Sequence, residues 1–120
     1  MNYDIAIIPG DGVGPEIVSE AVKVLEAVGS KFGRNFKFVS FAAGGAAIDE
    51  FGVPLPESTL EGCKQCEAIL FGSVGGPKWD NNPWDNIHTA ITPSQGIQVL
   101  RGEFQLFANL RPAKLMLEYS

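Results

Sequence analysis

Two arginines are the side chains best suited to hold a substrate. Arg101 falls in a helically spaced segment, and Arg111 falls in Asn109-Leu110-Arg111-Pro112. A guanidinium is planar and permanently charged, and it grips a carboxylate through two parallel hydrogen bonds, a fork that lysine lacks. The ordinary use of such an arginine is a solvated helix face, so the pair decides nothing alone. Ile97 stands four residues before Arg101 on the same helical face. It would set an apolar wall beside the charge, although core packing is equally open to it.

Gly10-Asp11-Gly12-Val13-Gly14-Pro15-Glu16 joins an apolar run to a helical pattern. Glycines there allow positive φ and close approach of a ligand, and a helix N-terminus offers free N–H groups to an anion. The spacing is G-x-G-x-G, not the dinucleotide fingerprint G-x-G-x-x-G, and Val39-Ser40-Phe41 stands where that fingerprint needs an acidic residue. A plain tight turn or a ligand loop of another kind both remain open. Cys63 and Cys66 form a C-x-x-C. A redox pair or half a zinc site would use that spacing, but zinc needs two more ligands and the only histidine is His88. Ordinary helix cysteines are the preferred reading, and loop surface is the preferred reading for His88. Asp11, Asp49, Asp80 and Asp85 do not cluster at metal-ligand spacing.

The elements around these residues read as α/β. Tyr3–Pro9 contains Ile5-Ala6-Ile7-Ile8, an unalternating run of strand length that suits a strand buried on both faces. Pro15 suits a first helical turn, with Ile17, Val18, Ala21, Val22, Leu25 and Val28 on the apolar face and Gly29 as the stop. Phe36–Phe41 reads as a strand, then a loop and short turn through Ala46-Ala47-Ile48, then a helix from about Ser58 to Glu67. Ala68–Phe71 is a third strand, residues 72–93 a loop, Pro93–Phe104 a helix, and Phe107–Leu117 a strand interrupted by Pro112. Strands separated by helices point to a parallel sheet.

The 120 residues are 45% hydrophobic and 19% charged, a composition that can bury a core. The net charge of −5, without a basic cluster, disfavours nucleic acid and anionic membrane surfaces as partners. No apolar run approaches the roughly 20 residues of a membrane span, and the start lacks a basic leader region, so a cytoplasmic location is the expectation. The chain stops at Ser120 shortly after a predicted strand, which reads as a truncated molecule with exposed apolar surface.

Four segments in order, Gly10–Glu16 (GDGVGPE), Gly44–Asp49 (GGAAID), Gly72–Asp80 (GSVGGPKWD) and Phe107–Lys114 (FANLRPAK), resemble the β-decarboxylating dehydrogenases, and GGPKWD resembles their isopropylmalate branch more than their isocitrate branch. The resemblance covers about the first third of a typical member. It implies a parallel-sheet domain of the isopropylmalate dehydrogenase-like fold, which is not a Rossmann fold. Residues 1–106 would be the incomplete first, cofactor-side domain and 107–120 the start of a second.

The implied reaction, in leucine synthesis, oxidises (2R,3S)-3-isopropylmalate with NAD and Mg²⁺ or Mn²⁺ and releases carbon dioxide to give 2-oxoisocaproate. Relatives acting on tartrate or homoisocitrate, and a non-catalytic dicarboxylate-binding module, stay open. By the same resemblance Arg101 and Arg111 bind the substrate's carboxylates and Ile97 borders its isopropyl group. Gly76, Pro77, Lys78, Trp79, Asp80 and Ser94 line the NAD side. The catalytic tyrosine, the lysine lent by the second subunit of a homodimer and the metal-binding aspartates would lie outside this sequence. One departure stands out. The family usually has R-P-E before the helix, and its glutamate faces the nicotinamide ribose. This chain has Thr92-Pro93-Ser94, which can hydrogen-bond but brings no charge.

Overall fold

The computed structural model describes residues 1–79 and 91–115. At its centre is β1 (Asn2–Gly10), whose Ile5, Ala6, Ile7 and Ile8 are all buried. β1 pairs in parallel with β2 (Asn35–Ser40) on one side and β3 (Ala68–Ser73) on the other, giving the order β2-β1-β3. The register runs Ile5 opposite Phe38 and Ile7 opposite Leu70. The unalternating apolar run is therefore explained: the central strand has both faces covered.

Side chains alternate across the sheet. Ala6 and Ile8 point into a cluster with Ala43, Cys63 and Leu100, flanked by Phe41, Leu60, Ile69 and Phe104. The opposite face receives α1 (Gly14–Phe32), which touches all three strands and buries Val18. Burying a side chain the size of Ile8 contributes about 1.5–3 kcal/mol. α2 (Gly45–Phe51) and α3 (Glu57–Lys64) connect β2 to β3, and α4 (Ser94–Glu103) closes the Ala6–Ile8 side.

The structure differs from the sequence reading in four places. α1 does not stop at Gly29. It ends at Gly33, which takes the left-handed conformation at φ 67° and donates its N–H to the Gly29 carbonyl. Gly29 lies inside the helix, where a Cβ would stand 2.7 Å from the Arg34 carbonyl oxygen and 3.2 Å from the Phe36 ring, so its lack of a side chain serves packing. The Ala46–Ile48 turn is a helix, α2, and α3 ends at Lys64 rather than Glu67. No strand forms over 107–115: this stretch pairs with neither sheet edge, and Phe107 (100%) and Leu110 (86%) stand exposed. Residues 116 and 117, the end of that predicted strand, lie outside the described residues.

α1 is also less covered than its pattern predicts. Of the predicted apolar face, Ile17 and Val28 are exposed, and so are Val24 and Phe32 beside it. Among the described residues no helix is long and apolar enough to cross a membrane.

Candidate functional site

The loop after β1 is organised by one side chain, Asp11. Its carboxylate is 4% exposed and accepts three backbone hydrogen bonds. Gly45 and Gly75 donate to Oδ2 at 2.6 and 2.9 Å, and Ala46 donates to Oδ1 at 2.7 Å. The Asp11 backbone is stitched to the end of β3: its N–H donates to the Ser73 carbonyl (2.7 Å), and its carbonyl accepts from Ser73 Oγ (2.9 Å). Asp11 thus caps α2, whose first amides have no partner within the helix, and joins it to the loop leaving β3. The sequence reading weighed Asp11 only as a possible metal ligand and missed this role. The available signal was an acidic residue between two glycines directly after a buried strand, where only backbone amides could satisfy it.

The loop's glycines are mostly demanded by packing. Gly10 takes φ 77°, and a side chain there would overlap the Ser73 carbonyl. A side chain at Gly14 would overlap the Pro9 carbonyl. These two positions therefore serve the close approach of β1, α1 and β3, in agreement with the failed dinucleotide fingerprint.

Of the residues read as cofactor-side, Lys78 and Trp79 come together on Asp49 of α2. Lys78 Nζ donates at 2.6 Å and Trp79 Nε1 at 3.2 Å, and Lys78 Nζ lies 5.5 Å from the Trp79 ring centroid. These two hydrogen bonds, the one from Lys78 first, hold the exposed Asp49 carboxyl below its ordinary range. The Trp79 ring lies against Gly45, where a side chain would overlap it. Pro77 and Lys78 are exposed, and Gly76 lies beside the same ring. Gly75, at φ 103°, has open space where a side chain would stand. Asp80, Trp84, Asp85 and His88 lie outside the described residues.

Ser94 opens α4 and is exposed. Its hydroxyl is 3.2 Å from Thr92 Oγ1, and the Thr92 amide donates to Gln95 Oε1 at 3.1 Å. Gln95, in the first turn of α4, thus reaches back past the N-cap Pro93 to the residue before it. Gly96 brings α4 close to Pro54 and Gly44, so the start of α4 leans on the segments that flank α2 on either side.

One turn on, Ile97 and Arg101 share the wall of an apolar hollow of about 340 Å³ between α4 and β3, with Ile69, Phe71, Leu100 and Phe104. Arg101 is exposed and, among the described residues, makes no ion pair. It also borders a second hollow of about 370 Å³ formed with Leu106–Leu110. Arg111 is exposed and borders neither hollow.

The two cysteines are free thiols. Cys63 is fully buried, and desolvation, reinforced by Cys66, pushes its thiol up to about 11. Cys66 is also raised, by burial first and then by the carboxylates of Asp4 and Glu67. Neither is an activated thiolate. Among the described residues no three His, Cys, Asp or Glu side chains come together to hold a metal.

The sequence matches the isocitrate/isopropylmalate dehydrogenase family over residues 4–120. It is 56% identical over 114 residues to a 3-isopropylmalate dehydrogenase of Clostridium acetobutylicum, covering 95% of this chain and 30% of the relative. It is 52% identical over 115 residues to that of Escherichia coli K12, with the same coverage of each. The chain therefore spans under a third of the length of these relatives. Among solved structures, a β-decarboxylating dehydrogenase from Thermococcus kodakarensis superimposes with a TM-score of 0.63 at 33% identity, over 88% of this chain and 27% of that one. An isocitrate dehydrogenase from Methylococcus capsulatus gives 0.56 at 35% identity, over 71% and 23%. With its family match running almost from end to end, the chain belongs to the isocitrate/isopropylmalate dehydrogenase family.

Proposed function

We propose that this chain is the cofactor-side portion of an NAD-dependent 3-isopropylmalate dehydrogenase, with catalysis carried out by a longer polypeptide containing it. The names of its relatives support that reading. The observation that carries it is the shared wall of Ile97 and Arg101: a permanent positive charge without an ion-pair partner among the described residues, set against an apolar hollow. A substrate with carboxylates and an isopropyl group needs that pairing. Arg111, one residue past the second hollow, is the proposed second clamp.

The proposed cofactor side runs from Gly76 to Asp80 and on to Ser94. NAD would accept the hydride from the hydroxyl-bearing carbon. The residues fit it in one respect: the open side of Gly75 permits close backbone approach. Ser94 supplies a hydroxyl where the family places a carboxylate, so any contact with the ribose is neutral.

The described residues do not fit the divalent metal that the family implies, since they hold no donor set. What this portion does is bind and orient. Residues 1–106 are proposed as part of the first domain and 107–120 as the start of the second. Cytoplasmic location, a homodimer and a role in leucine biosynthesis belong to the same proposal.

In the complete polypeptide, Arg101→Lys or Arg111→Lys loses one bidentate charged contact. At about 1.5–3 kcal/mol per charge-assisted bond, kcat/KM for 3-isopropylmalate should fall roughly ten- to hundredfold, through higher KM and lower kcat. Steady-state kinetics unchanged in both variants would refute the assignment.

A further inference from the structure

We propose that Asp11 and Asp49 are positioning residues that hold the Gly75–Trp79 loop against α2 and so pre-order the cofactor side of the groove, a proposal that rests on the cofactor reading above. The two carboxylates grip opposite ends of one five-residue loop. At its start, the Gly75 amide donates to buried Asp11 Oδ2 (2.9 Å). At its end, Lys78 Nζ and Trp79 Nε1 donate to Asp49 at 2.6 and 3.2 Å.

Both anchors are tied to the same short helix. Asp49 lies within α2, and Asp11 also binds its first two amides, Gly45 and Ala46. The Trp79 ring against Gly45 fills the space between the two ties. Neither carboxylate comes within 4 Å of where a Gly75 side chain would stand, so their effect on a ligand at that open side is exerted through the loop. A loop held in its binding conformation avoids the ordering cost of capture. Releasing one end lowers the fraction of molecules in that conformation, and the apparent affinity falls by the same fraction.

The two substitutions that test this differ in severity. Asp49→Asn keeps an acceptor for Trp79 and loses the charge facing Lys78, at an exposed position where folding is not at risk. Asp11→Asn is harsher: whichever way the amide is turned, its NH₂ faces a backbone N–H, either that of Ala46 or those of Gly45 and Gly75.

The measurements are made on the complete polypeptide carrying this chain. They are equilibrium NAD affinity by calorimetry, KM for NAD and for 3-isopropylmalate, thermal midpoint, and hydrogen exchange of the 75–79 amides without ligand. Asp49→Asn should weaken NAD about threefold or more and speed exchange in the loop, with the midpoint and the KM for 3-isopropylmalate unchanged. Asp11→Asn should weaken NAD about tenfold or more, and if it fails to fold, Asp49→Asn decides. Wild-type NAD affinity and exchange in the variants overturn the positioning role alone. Equal weakening of NAD and 3-isopropylmalate marks general loosening and also overturns it. A wild-type enzyme that neither binds NAD nor depends on it overturns the cofactor reading, and this proposal with it.

Discussion

Cys63 offers a prediction whose size follows from the structure. Its thiol is fully buried in the cluster of Ala6, Ile8, Ala43 and Leu100, and is pushed from 9.0 to about 11. At pH 8 an ordinary thiol of this kind is about one-tenth thiolate, and one at about 11 is about a thousandth, so the reactive form is roughly a hundredfold scarcer. Burial slows attack further. In the native protein, a chromogenic disulfide reagent should therefore titrate Cys66 before Cys63, and Cys63 should react at least about a hundredfold more slowly than the same thiol in denaturant. Two thiols reacting at equal native rates, or a native mass showing a disulfide, would refute the reasoning and restore a redox reading of the C-x-x-C.

The same shift has a consequence for stability, with a definite sign. Below pH 9 the folded and unfolded chains both hold the proton, and the neutral thiol's advantage is fully present. Between pH 9 and about 11 the unfolded chain alone ionises, so stability falls as pH rises, by up to about 2–3 kcal/mol at the top of the window. Alkaline melts should show this slope, and Cys63→Ala should reduce it, leaving the part of the same sign that the raised Cys66 thiol contributes.

Three further outcomes follow from the site. Gly45→Ala places a methyl where the Trp79 indole lies, and should cost about 1–3 kcal/mol by overpacking while moving Trp79 toward solvent. An unshifted melt and unshifted tryptophan emission would contradict the contact. The Asp49 carboxyl is held below its ordinary 3.8 by Lys78 and Trp79, so its tie to the loop is intact above that value and is lost as pH falls through the lowered one. A carboxyl-carbon NMR titration with a midpoint at or above 3.8 would count against the pairing. In the complete polypeptide, Ile97→Ser should erode selectivity for 3-isopropylmalate over substrates with a polar group at that position, since a lost apolar contact is worth about 1–3 kcal/mol. An unchanged ratio of kcat/KM values would leave Ile97 as packing only.

The sequence was most legible where a single local force decided the outcome. The Ile5–Ile8 run read as a strand covered on both faces, and the structure places it at the centre of the sheet. The four-residue spacing of Ile97 and Arg101 fixed their common face, and they share one hollow. The end of α1 was misread because Gly29 is the first glycine after the apolar face, whereas the helix runs on to the left-handed Gly33 and Gly29 packs against the Arg34 carbonyl and the Phe36 ring, contacts that no local pattern reveals. The position of Asp11 carried a signal, but what it organises was illegible for a related reason. Its partners, Gly45, Ala46 and Gly75, stand 34, 35 and 64 residues away and present only backbone amides, which leave no mark in residue type.

The departure at Thr92-Pro93-Ser94 acquires a local explanation that sequence comparison could not supply. Thr92 with Gln95 reaching back to its amide, and Pro93 just ahead of the first turn, form a start signal for α4. The segment is therefore built to fix where α4 begins, and with it the direction in which Ile97 and Arg101 project one and two turns later. Exchanging Ser94 for glutamate would test whether that scaffold tolerates the charge. A carboxylate in the first turn of a helix is favoured by about 0.3–1 kcal/mol, and Ser94 is exposed, so Ser94→Glu should leave stability equal or slightly higher. If the ribose lies near Ser94, as proposed, NAD affinity should rise in the same variant, whereas a stabilised protein with unchanged NAD affinity would place the cofactor elsewhere along the groove.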